Sequence, residues 1–151
     1  MSASAKLAEL GLTLPDVVPP LAAYVPAVRS GDLVFTSGQL PMKSGELMAT
    51  GKVGAEIDAD TAYSCAEQCG LNALAAVKAE LGDLDLVKRV VKVVVYVAST
   101  PDFTGQPGVA NGVSELLGNA FGDAGVHPRA AVGVAALPLD APVEVELVVE
   151  V

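Results

Sequence analysis

The sequence predicts an α+β fold, a mixed β-sheet with two helices packed on one face. Three observations carry this. Two long segments repeat apolar residues at helical period, and several short segments are dense in β-branched residues. They follow one another as strand-strand-(strand)-helix-strand-helix-strand-strand. The chain has 151 residues, 52% hydrophobic and 18% charged. That suffices for one domain with its own core and excludes a disordered chain, which would be charge-rich and poor in apolar residues.

Ala3 to Gly11 carries Leu7 and Leu10 at helical spacing and stops at a glycine, as a short helix does. Leu14-Pro15 through Pro19-Pro20 is a connector, because proline lacks an N–H and turns the preceding residue away from helix. Residues 1–19 thus read as an N-terminal helix and Pro-rich connector, and residues 20–151 as the main domain. Tyr24 to Val28, a turn at Ser30-Gly31-Asp32 and Leu33 to Thr36 read as a β-hairpin. Ser37-Gly38-Gln39 ends its second strand, and Gly45, Gly51 and Gly54 mark a loop with room for one more short strand.

Asp58 or Asp60 caps a helix running to about Glu80, with Ala62, Cys65, Ala66, Cys69, Leu71, Leu74, Ala75 and Val77 as its apolar stripe. Leu81-Gly82-Asp83 stops it. Val87 to Val97 reads as a central strand, covered on both faces at its far end. Thr100-Pro101-Asp102 opens a second helix, weakened early by Gly105, Pro107 and Gly108 and carried on by Val109, Val113, Leu116, Leu117 and Phe121. Arg129 to Ala136 is a strand, Leu137 to Pro142 a turn, and Val143 to Val151 a strand carrying Glu144, Glu146 and Glu150. If these last two strands pair as a hairpin, Glu144 stands opposite about Ala135, not Arg129. The two charges then need not touch within one hairpin, and a subunit boundary is where they can face each other. Such a boundary is expected, because two helices hide one face of a sheet whose strands are apolar on both, and further copies of the chain can hide the other.

The net charge of −9, with 4% aromatic residues and no Trp, argues against a nucleic-acid partner and against an anionic membrane surface. The N-terminus has no basic segment followed by a long apolar run, and Val90 to Ala98 is too short to cross a bilayer. A cytoplasmic protein is the expectation. Cys65 and Cys69, at i and i+4, share one helical face and read as core residues rather than metal ligands. His127 is the single histidine, so no multi-histidine zinc site is expected, and as a lone loop histidine it reads as solvated or locally bonded. Arg129 offers a planar, permanently charged fork for a carboxylate. Glu144, Tyr24 and Ser37 are the other polar candidates, and Gly38 permits close approach at a strand end.

Several segments together resemble one family. Thr36-Ser37-Gly38-Gln39-Leu40-Pro41 resembles the T-S-G-Q-[IL]-P signature of the RidA/YjgF imine deaminases, also catalogued as endoribonuclease L-PSP. It is joined by Tyr24, the Val93–Val97 strand, Asn111, His127-Pro128-Arg129-Ala130, Leu137-Pro138-Leu139-Asp140 and Val143-Glu144-Val145-Glu146, in order from about Pro20 to the C-terminus. The resemblance implies a homotrimer of chorismate-mutase-like subunits with clefts between neighbours. It implies hydrolysis of small 2-imino or 2-enamino acids to 2-oxo acids and ammonia, without metal or organic cofactor. Arg129 would bind the substrate carboxylate and Glu144 would activate water. Tyr24, Ser37, Gly38, Asn111 and the Ala131 carbonyl would line or support the cleft. Ala131 stands where family deaminases often carry cysteine, and Gly133 replaces the glutamate of a V-E-V run. The alternative is a non-catalytic trimer that binds a small carboxylic-acid metabolite through Arg129. Ribonuclease activity, after the family's other label, runs against the chain's charge.

Overall fold

A computed structural model describes residues 1–151. Helix α1 (Ala3–Glu9) leads through the Pro-rich connector to β1 (Ala27–Ser30) and β2 (Leu33–Thr36), and then to the small hairpin β3 (Met42–Lys43) and β4 (Glu46–Leu47). Helix α2 (Ala59–Leu81), β5 (Arg89–Ala98), α3 (Gln106–Phe121), β6 (Arg129–Val134) and β7 (Val143–Glu150) complete the chain. The main sheet has the order β1-β2-β7-β5-β6. Neighbours are antiparallel except β5 and β6, which are parallel and joined through α3. The architecture is therefore the expected mixed α+β arrangement, with α2 and α3 on one face and α1 packed beside α3.

Alternation along the strands sorts the sheet into two faces. Val34, Val93, Val95, Val97, Val143, Val145, Leu147 and Val149 are buried beneath the helices. Phe35, Val94, Tyr96, Glu144, Glu146 and Val148 point the other way. On that open face Val28, Phe35 and Val132 remain 53%, 41% and 43% exposed. As expected, β5 is covered on both faces at its far end, where Val97 and Ala98 are both buried, while earlier along the open face Val94 and Tyr96 are only half-buried. The helices approach closely because small residues meet: a Cβ at Gly112 would fall 2.2 Å from the Tyr63 carbonyl oxygen.

Two element starts and one strand pairing are corrected. The first strand begins at Ala27, and Tyr24 lies ahead of it, beyond Pro26, which has no N–H to give a ladder. The second helix opens at Gln106, with Pro107 in its first turn and Gly105 as a cap without a side chain. The conditional β6–β7 hairpin does not form. Parallel pairing with β6 and antiparallel pairing with β7 place β5 between them. The connection passes over the end of β5 through a 3-10 turn at Pro138–Asp140, where Ala98 N–H donates to the Pro142 carbonyl.

Candidate functional site

The T-S-G-Q segment interrupts the β2–β7 ladder, and each of its residues has a task there. The Thr36 hydroxyl accepts the Leu147 N–H at 2.9 Å. Pairing resumes at Gln39, which exchanges both backbone bonds with Val145, at 2.7 and 3.0 Å. Between these points Ser37 and Gly38 stand against Glu146 alone, an extra residue of the kind that re-aims a strand. The Ser37 hydroxyl donates to the Val25 carbonyl at 2.6 Å, tying the connector to the strand end. Gly38 leaves room for Glu144: a Cβ there would lie 2.0 Å from Glu144 Oε1.

Glu144 is therefore a half-buried carboxylate packed on a backbone that carries no side chain. Burial, and secondarily the neighbouring Glu146 charge, raise its pKa above the ordinary carboxylate value. Glu146 accepts from the Tyr96 hydroxyl at 3.2 Å. Below this loop, the fully buried Asn72 amide donates to the Leu40 and Met42 carbonyls, both at 2.9 Å, and accepts from Gln68 Nε2 at 3.1 Å. Sequence reasoning missed this support. The available signal was a pair of amides at i and i+4 inside an otherwise apolar helix.

Arg129 opens the edge strand β6. Its parallel pairing with buried Val93 turns it toward the helix layer. At an edge, the long side chain can run out along α3 rather than into the core. Its Nη1 donates to Asn111 Oδ1 at 2.8 Å and Ser114 Oγ at 3.0 Å, and its Nη2 to the Pro107 carbonyl at 3.1 Å. These three acceptors lie at i, i+4 and i+7 on one face of α3. All three are neutral, and the chain's one ion pair is elsewhere, between Lys52 and Asp140 at 2.6 Å. Arg129 thus keeps an uncompensated charge and two of its five N–H donors.

The structure brings Arg129 and Asn111 together, with Ala131 two residues along the same face and packed against the core. It brings Glu144, Gly38 and Ser37 together elsewhere. Tyr24 borders a small cavity with Gly38, Gln39, Val18 and Leu21, and its hydroxyl accepts from the Leu21 N–H at 3.1 Å. The two groups do not meet within one chain, because Arg129 faces the helices and Glu144 the open side of the sheet. His127 is locally bonded, to Ser114 Oγ at 2.9 Å and the Gly125 carbonyl at 2.5 Å. Cys65 and Cys69 are fully buried, and burial pushes the Cys65 thiol up to about 11 and Cys69 well above its usual value. No three His, Cys, Asp or Glu side chains converge to hold a metal ion, and no helix is long and apolar enough to cross a membrane.

Residues 5–151 match the family model described as Endoribonuclease L-PSP. The chain belongs to this family, the RidA/YjgF family. Protein TCP17 of Trypanosoma cruzi is 45% identical over 148 residues, 97% of this chain and 92% of that one. The crystal structure of Atu1372 from Agrobacterium tumefaciens, a protein of unknown function, shares 47% identity at a TM-score of 0.91, covering 99% of this chain and 91% of that chain. The crystal structure of E. coli TdcF with bound serine shares 26% identity at a TM-score of 0.60, covering 91% and 92% of the two chains. The RidA/YjgF membership read from Thr36–Pro41 and His127–Ala130 therefore extends over nearly the whole chain, α1 included in part.

Proposed function

We propose that the protein hydrolyses small 2-imino and 2-enamino acids to 2-oxo acids and ammonia, in clefts between the subunits of a homotrimer. One observation carries this reading: a guanidinium fixed by three neutral acceptors, with no carboxylate of its own chain, and with donors left over. Such a group is prepared for an organic anion. A charge-assisted bond from the remaining N–H donors holds the substrate carboxylate and turns a loose encounter into a positioned one.

The chemistry then needs water and one proton carrier. Glu144 takes a proton from water as its oxygen bonds to the imine carbon. It returns the proton to nitrogen, then carries the carbinolamine's hydroxyl proton to the same nitrogen, so that the C–N bond breaks, the carbonyl of the 2-oxo acid forms and ammonia leaves. A carboxylate with a raised pKa suits both halves of that exchange. Because Arg129 and Glu144 of one chain face opposite sides of the sheet, a neighbouring copy completes the cleft, and burial of Val28, Phe35 and Val132 favours that association. Tyr24, Ser37, Gly38 and the Ala131 carbonyl would line it. The charge of −9 supports a small metabolite over RNA as the ligand.

The test generates 2-iminobutanoate with a threonine dehydratase and traps it as the semicarbazone. Added protein should lower trapping, and Arg129→Ala or Glu144→Ala should abolish the effect. Undiminished trapping by the native protein overturns the catalytic reading. The serine bound in TdcF favours a second reading, a binder of small carboxylic acids. In that case Glu144→Ala leaves acid binding intact and there is no turnover to lose. A monomer by light scattering would count against the shared cleft in both.

A further inference from the structure

We propose that Ser114 and His127 are positioning residues, a directional hydrogen-bond relay that locks the Arg129 guanidinium with its unused edge outward. The inference rests on the carboxylate-binding reading of Arg129 only for its effect on substrate.

The directions at both ends are fixed by what each group can do, and the middle bond follows for an Nδ1–H ring. A guanidinium only donates, so Ser114 Oγ accepts from Nη1. The one hydroxyl hydrogen of Ser114 is then free for His127 Nε2, which accepts it. A carbonyl only accepts, so His127 Nδ1 carries the ring proton and donates it to Gly125. In the neutral Nδ1–H tautomer of His127 every donor of the set meets an acceptor.

Both ends of the relay are stiff. Gly125 packs on α3 so tightly that a Cβ would fall 2.2 Å from the Leu117 carbonyl oxygen, which holds its carbonyl at a fixed place beside the helix carrying Ser114. His127 precedes Pro128, which restricts its backbone. The Pro128 carbonyl accepts the Val93 N–H at 3.2 Å, anchoring the segment to β5. A serine in mid-helix ordinarily bonds back to its own helix or faces water. Here it links an arginine from the next strand to the histidine of the intervening loop. Without Ser114, Nη1 keeps only Asn111, and the guanidinium can swing about the remaining bonds.

The experiment reads the arginine directly. In nitrogen-15-labelled protein, the Arg129 Nη signals, assigned by their absence in Arg129→Lys, should show slow rotation about the guanidinium bonds. Ser114→Ala and His127→Gln should speed that rotation, Ser114→Thr should restore it, and the double variant should be no worse than either single one. With an imine substrate, the same two variants should raise KM about tenfold while kcat stays within about twofold. Rotation unchanged in Ser114→Ala and His127→Gln, or effects that simply add in the double variant, would overturn the relay. A native protein without turnover but with the expected rotation pattern would sink the deaminase reading and leave the relay standing. A melting curve for each variant separates lost positioning from lost fold.

Discussion

The two halves of the candidate site are built in opposite ways. Arg129 is a charge surrounded by partners: three acceptors hold the guanidinium, and nothing neutralises it. Glu144 is a charge given space: its neighbour is a glycine, its pKa is raised by burial, and no hydrogen bond in the chain ties its carboxylate down. A rigid cation suits gripping a fixed group on a ligand. A partly desolvated carboxylate suits trading a proton with water. The same sheet supports both because β6 is an edge, where a long side chain can lie along α3, while β7 is central and its open face lies beside a broken ladder.

The largest effect that would break this contrast is at position 129. Arg129→Ala should reduce kcat/KM by about three orders of magnitude, the loss expected when a charge-assisted anchor and its positioning go together. Arg129→Lys should recover little, since an ammonium cannot offer the planar fork. Steady-state kinetics on a trapped-imine assay measures both, and a lysine variant near native activity would show that charge alone suffices. Next in size, Glu144→Gln should lower kcat by about a hundredfold to ten-thousandfold with little change in KM, since the loss falls on proton transfer. A matching rise in KM would place Glu144 on the binding side instead.

A smaller effect tests whether the space around Glu144 is held from below. Asn72→Leu removes the donors serving the Leu40 and Met42 carbonyls, and the Leu40 carbonyl then keeps only the Met42 N–H at 2.8 Å. Destabilisation of about 1–3 kcal/mol is expected by urea unfolding. The Ser37-Gly38 loop should loosen, seen as faster amide exchange at Gln39. Exchange at Gln39 equal to native would mean that the Val145 pairing holds the loop alone.

How much of this was legible beforehand follows from the range of the forces involved. The hairpin at Gly31, the cap and stop of α2, and the apolar stripes of α2 and α3 are local patterns, and the sequence carries them openly. Thr36–Gln39 and Arg129 stood out as a family motif before their geometry was known. The neighbours of β6 were not legible, because β-branched runs look alike whether they pair with the next strand or with one a helix away. The sequence reading opens the first strand at Tyr24, where the period changes, whereas Pro26 delays the ladder to Ala27. Ser114 gave no signal of its own, and the Gln68–Asn72 amide pair gave only its spacing, since a polar residue inside a helical stripe declares its purpose only when its partner from another element arrives.

The finest adjustment in the Glu144 half comes from Glu146, two residues along the same face. Its charge is the second cause, after burial, of the raised Glu144 pKa. Neutralising it by Glu146→Gln removes that repulsion, so Glu144 should ionise at lower pH, though still above an ordinary carboxylate because burial remains. Turnover by the proposed route needs Glu144 ionised when water attacks, so the acidic limb of the kcat profile should move to lower pH, with the plateau unchanged. The sign also extends to stability. A carboxylate whose folded pKa is raised binds its proton better folded than unfolded, so it favours the folded state at low pH and costs stability as pH climbs through the interval between the two values. Glu146→Gln narrows that interval, so pH-dependent melting should show a smaller loss across it than in the native protein. An acidic limb that stays in place, together with an unaltered melting profile, would mean that Glu146 is screened from Glu144, and that burial against Gly38 alone sets the proton affinity.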